Sequence, residues 1–138
     1  MPNRTLPSFT LLWSNYPTEN HPCDQGWSNQ CAIRMSITLI NAGFPLTNYT
    51  EPVCKHKHAR GAESLATYLW RQVGRPQIAT TSAAAWTMVN GKKGLIFFKD
   101  IAGFRDGIGD HFDCWNAGIT KTGEYIDHSK QVWFWEAT

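Results

Sequence analysis

The chain has 138 residues, with thirteen basic against eleven acidic side chains and a net charge of +2, so it carries no electrostatic footprint of nucleic-acid binding. No apolar run approaches the roughly 20 residues of a membrane span, which argues against membrane insertion. The length fits one domain over residues 1–138, and seven Trp and seven Phe supply a core that needs no metal or cofactor to hold it.

The N-terminus, Met-Pro-Asn-Arg-Thr-Leu-Pro, lacks the apolar centre of a signal peptide. Work outside the cytoplasm would therefore call for another export route. Ser8 is placed to cap a short helix from Phe9 to about Asn15, with Leu11, Leu12 and Trp13 turned inward and Pro17 ending it. Loop follows as far as Cys31. There a turn becomes a helix, in which Ile33, Ile37 and Ile40 recur at i, i+4 and i+7 and Gly43 supplies a left-handed cap.

Phe44 to Pro52 reads as irregular, punctuated by two prolines. The segment Cys54-Lys-His56-Lys-His58 alternates ligand types, but no fourth ligand stands at familiar zinc spacing, so a polar basic loop with a Cys23–Cys54 disulfide is the expectation and no metal is assigned. Ala62, Leu65, Ala66, Leu69 and Val73 make the stripe of a third helix from about Arg60 to Val73. Ser82 caps a fourth through Val89, ending at Asn90-Gly91. The period then changes to two, with strand-like runs at Gly94–Lys99, His111–Trp115, Glu124–Asp127 and Val132–Trp135. Helices first and strands afterwards give an α+β fold, N-terminal helices packed on a C-terminal antiparallel sheet.

A thiol at a helix start meets the positive end of the macrodipole and unpaired backbone N–H groups, which favour thiolate and donate to an anion. Cys31 is thus a candidate nucleophile; the plainer reading is a small buried hydrophobe. The partner it needs is His111, which shares a strand face with Asp113 and Trp115 while Phe112 and Cys114 point the other way. A turn over Ile119–Gly123 would bring Glu124–His128 back beside His111. Asp127 is then the expected third member of the constellation, with Asp113 as the alternative acid.

The order Cys on a helix, His on a strand, acid on the next strand resembles papain-like hydrolases of the NlpC type. Gln25-Gly26, six residues before Cys31, adds to the resemblance, which gives the Gln25 side chain a part in holding the oxyanion. A narrower resemblance lies in Asn29–Ser36, Asn41–Pro45, His58–Ala66, Gly91–Phe98, Gly109–Asn116 and Val132–Glu136, which are similar in sequence and order to the fourth family of type VI secretion amidase effectors. That resemblance implies a papain-like fold, Cys31 as nucleophile and His111 as base, and cleavage of the γ-D-glutamyl–meso-diaminopimelate amide in peptidoglycan stem peptides. It also implies synthesis in a bacterial cytoplasm, delivery by the type VI apparatus into a target periplasm, and a cognate immunity protein. The family's acid lies in a loop shortly after the histidine strand, whereas Ile119–Gly123 here holds none. Two other readings use the same residues: a general cysteine protease or acyltransferase, and a non-catalytic wall-binding domain with Cys31 structural.

Overall fold

A computed structural model describes residues 4–17, 31–50, 61–102 and 109–138. Helix α1 (Phe9–Asn15) begins where Ser8 Oγ accepts the Leu11 N–H at 3.4 Å. It buries Phe9 and Leu12, but Leu11, expected inside, is 47% exposed because it points away from the sheet. Helix α2 (Cys31–Asn41) is followed by Gly43 at φ +97°, the left-handed closure expected there. Its buried stripe is rotated from the expected isoleucine line. Ala32, Ile33, Met35 and Leu39 are inside, and Ile40 is 38% exposed. Helix α3 (Ala62–Val73) buries Ala62, Leu65, Ala66 and Leu69 as its stripe requires. Helix α4 (Ser82–Val89) is capped by Thr81, whose hydroxyl accepts the Ala84 N–H, one residue before the cap expected.

The strands are β1 (Gln77–Ala79), β2 (Lys93–Ile101), β3 (Gly109–Asn116), β4 (Ile119–Thr120) and β5 (Ser129–Glu136). They form one antiparallel sheet in the order β1-β5-β2-β3-β4. Alternation along the central strands feeds two cores. Leu95, Phe97, Phe112, Cys114, Trp133 and Trp135 meet α1, α2 and α3 on one face. Ile96, Phe98, Trp115, Val132 and Phe134 meet α4 and a 3₁₀ turn at Ile126–His128 on the other. Both faces are therefore covered, which is why β2 and β5 read as nearly continuous apolar runs.

Two expectations need correction. The run Glu124–Asp127 is no strand: it ends in the 3₁₀ turn, because the backbone from Lys121 to Gly123 turns its N–H groups onto Asp113 and leaves the sheet edge. The hairpin loop after β3 is also shorter than expected. Trp115 pairs with Thr120 and Asn116 with Ile119, so only Ala117 and Gly118 connect them, both at positive φ (50° and 102°) as a tight primed turn requires. Among the described residues no helix is long and apolar enough to cross a membrane.

Candidate active site

Strand β4 covers the outer edge of β3 only at Trp115 and Asn116, so the stretch of β3 that leads to His111 is left for the start of α2. Helix α2 packs on one face of the sheet, and its first residue reaches this edge. Cys31 is 3% exposed, and its Sγ donates to the Asp110 carbonyl at 3.7 Å. A second lock holds the strand from the other side. At Asp100, φ is +56° within an irregularity of β2, and its N–H is bound by Asp110 Oδ1 at 2.9 Å. The entry into β3 is thus fastened to both α2 and β2.

The next residue, His111, is 7% exposed, with its ring stacked on Phe98 (centroids 5.9 Å, planes 12° apart) and edge-on to Tyr125 at 5.3 Å. Its Nε2 lies 2.8 Å from Asp113 Oδ2 and 3.2 Å from Thr122 Oγ1. The ring also hydrogen-bonds the Cys31 side chain. With Nε2 engaged by oxygen, Nδ1 is the atom left for sulfur. Sulfur, imidazole and carboxylate so form one chain of hydrogen bonds.

Asp113 has no solvent exposure, and six donors converge on its carboxylate. Oδ1 accepts the Cys114 and Lys121 N–H groups at 2.7 and 2.9 Å. Oδ2 accepts the Thr122 N–H, the Thr122 hydroxyl, the Gly123 N–H and His111 Nε2, at 2.9, 2.8, 3.1 and 2.8 Å. Burial alone would raise the pKa of this carboxyl, but the bonds and charge of His111 and the donors of Thr122 outweigh it and hold it below the usual carboxylate range. Burial likewise opposes charge on His111. The hydrogen bonds to Asp113 and Cys31 and their negative charge win, pushing the imidazole up to about 9.

Asp127, expected to face His111, is instead on the surface, bonded to the Ser82 hydroxyl and, at 2.8 Å, to Trp86 Nε1. The carboxylate that the fold brings to His111 is Asp113. The two residues share a face about 6.6 Å apart along the strand, and the imidazole spans the gap with its distal nitrogen instead of standing parallel to it. Cys114 faces the helical core with its thiol on the Leu12 carbonyl at 3.8 Å, and burial pushes its pKa well above the ordinary thiol value, as befits an inert thiol. Gln25, Cys23, Cys54, His56 and His58 lie outside the described residues.

Sequence reasoning missed Thr122 and Tyr16, whose hydroxyls lie 3.2 Å apart beside His111 and Asp113. The signal for Thr122 was present in Asn116-Ala-Gly-Ile119: a two-residue turn there sets Thr122 opposite Asp113 in the hairpin count. Among the described residues, one carboxylate cluster, Glu63, Asp100 and Asp110, has the spacing to hold a metal ion. Lys99 Nζ already pairs with Glu63 at 2.7 Å and Asp100 at 3.4 Å, so this cluster has a cation of its own.

A helix-borne thiol, a strand-borne imidazole and a buried carboxylate on an antiparallel sheet define a papain-like α+β protein. The family model for the type VI secretion system amidase effector protein 4, Tae4, matches residues 27–135, and the chain belongs to that family. Its fold is similar to that of Tae4 from Salmonella typhimurium, solved as a selenomethionine variant with Tai4 (TM-score 0.76, 22% identity, 99% of this chain and 100% of that one). It is similar also to Tae4 from Enterobacter cloacae (0.75, 20%, the whole of both chains). A third likeness is to the Salmonella effector in complex with the Enterobacter immunity protein Tai4 (0.74, 21%, 96% and 99%). No curated protein matches the sequence.

Proposed function

We propose that this chain is an antibacterial peptidoglycan amidase acting as one catalytic domain, with Cys31 as nucleophile, His111 as base and then acid, and Asp113 as the group that orients and charges the imidazole. The observation that carries this reading is the His111 ring bonded to sulfur on one side and to a buried, donor-saturated carboxylate on the other. In the ion-pair state Nδ1 already carries the proton taken from Cys31, the thiolate sulfur adds to the amide carbon, and His111 gives that proton to the departing amine. Water, deprotonated by the same nitrogen, then releases the acyl group from sulfur. The backbone N–H groups at the start of α2, with the Gln25 side chain that the family resemblance implies, stabilise the oxyanion.

The substrate we assign is the γ-D-glutamyl–meso-diaminopimelate bond of stem peptides, reached when the type VI apparatus carries the protein into a target periplasm. The Salmonella and Enterobacter relatives are found with Tai4 immunity proteins. By the same logic an immunity partner covers this site in the producer's kin. Digestion of purified sacculi followed by mass spectrometry of the released fragments tests the assignment. New amino termini on diaminopimelate are the expected product; sacculi left intact by a folded protein, or cleavage at another bond, would overturn it.

A further inference from the structure

The Thr122 hydroxyl stands where three groups meet: Asp113 Oδ2 at 2.8 Å, His111 Nε2 at 3.2 Å and the Tyr16 hydroxyl at 3.2 Å. A hydroxyl has one proton to give and two lone pairs to receive. Thr122 gives its proton to the Asp113 carboxylate, so it can only accept from Tyr16 and from His111. The direction at His111 is thereby fixed, while the single Tyr16 proton is shared between the Thr122 oxygen and the Phe112 carbonyl. His111 Nε2 must be a donor, its N–H shared between the carboxylate and the Thr122 oxygen, and Nδ1 is the nitrogen that exchanges a proton with Cys31.

Tyr16 extends this array to another part of the fold. It closes the C-terminus of α1, is 4% exposed, and also lies 3.3 Å from the carbonyl of Phe112, the residue between His111 and Asp113. Helix α1 therefore touches the strand and the loop that carry the imidazole's partners at a single oxygen. A buried phenol left without a partner would be costly, so this contact is specified by more than packing.

We propose that Thr122 is a positioning residue that fixes the tautomer and tilt of the His111 ring, and that Tyr16 acts through it. The proposal rests on the reading of Cys31 and His111 as a reactive pair. Its test therefore starts from the rate at which iodoacetamide alkylates Cys31 at pH 7, which needs no substrate, and adds turnover on sacculi. Thr122→Val keeps the shape and removes the hydroxyl; Thr122→Ser keeps the hydroxyl. The expected result is a fall in alkylation and kcat of about tenfold in the valine variant, with KM unchanged and the serine variant within about twofold of wild type. Tyr16→Phe should lower both rates less, and should add nothing in the Thr122→Val background.

A Thr122→Val protein that reacts like wild type overturns the proposal. A serine variant no better than valine, with both folded by thermal melting, does so as well, as do additive effects of Tyr16→Phe. If wild-type Cys31 itself shows no selective reactivity, the parent reading fails instead, and the two failures are told apart in the first measurement.

Discussion

Two aspartates sit within fifteen residues of one another and illustrate opposite uses of the same side chain. Asp113 is fully buried beneath six donors, four of them backbone N–H groups and one the His111 ring. Asp127 lies on the surface between a serine hydroxyl and an indole N–H, and those two bonds hold it below the usual carboxylate range with no help from burial. Both are ionised at neutral pH. Only the first is ionised where water does not screen it, so only its charge is felt in full by a neighbour. A carboxylate becomes part of a reactive unit through the donors that keep it charged in a dry place.

If that contrast is sound, the members of the unit should fail together. Cys31→Ala and His111→Ala are expected to lower sacculus cleavage by about 10⁴-fold or more each, and the double variant should be no worse, because the losses of nucleophile and base are not additive. Near-wild-type turnover in Cys31→Ala would end the mechanism. Asp113→Asn comes next. It should cut kcat by about 10³–10⁴-fold, since an amide can set the wrong tautomer and cannot stabilise an imidazolium. It should also cost about 3 kcal/mol of stability, because an NH₂ group would face N–H donors in a closed site. A protein with full activity but a lowered Tm would make Asp113 purely structural.

The pH dependence sharpens the same contrast. His111 titrates at about 9 in the folded protein, above the ordinary value of 6.5, so its ion pair stabilises the fold fully below about 6.5 and that contribution is lost as pH rises through about 9. The leaving amine needs the proton of the imidazolium, so activity is expected to fall on the alkaline side near 9. Asp113, whose pKa is lowered, contributes in the other direction: its share is present above the normal carboxylate range and is lost as pH falls through its own depressed value. In Asp113→Asn the alkaline limb, read from the residual rate, should move down toward the ordinary histidine range. A limb that stays near 9 without Asp113 would mean that the carboxylate does not hold the charge on His111.

Much of this was legible in the sequence. The Ser8 cap, the Gly43 closure, the start of α2 at Cys31 and the strand around His111 all rest on local rules, and local rules hold where cap chemistry and apolar period agree. The carboxylate assigned to His111 depended instead on a long-range count. A turn placed at Ile119–Gly123 put Asp127 across from His111; the turn at Ala117-Gly118, two residues long, brings the Lys121–Gly123 amides over Asp113. A short shift in the loop moved every facing residue, as period-two pairing dictates. The stripe of α2 was turned for a related reason. Ser36 and Thr38 are buried beside Met35 and Leu39, and hydropathy does not place polar residues inside.

The smallest expected effect belongs to Asp127, and it is the one that separates the two aspartates most cleanly. Asp127→Asn keeps an oxygen able to accept from Ser82 and from Trp86 Nε1, and it removes a charge that water already screens. Turnover on sacculi should stay within about twofold of wild type, since nothing at His111 changes. The alkaline limb should remain near 9, because Asp127 has no part among the groups that raise His111. Asp127→Ala goes a step further and leaves the Trp86 N–H to solvent, which its 38% exposure permits, so a loss of tryptophan fluorescence structure without a loss of rate is the expected signature. A drop in kcat in Asp127→Asn comparable to that in Asp113→Asn, at unchanged Tm, would reverse the assignment of the two carboxylates. It would also require the 3₁₀ turn at Ile126–His128 to swing toward β3 when substrate binds, away from the Ser82 and Trp86 bonds that hold it on α4.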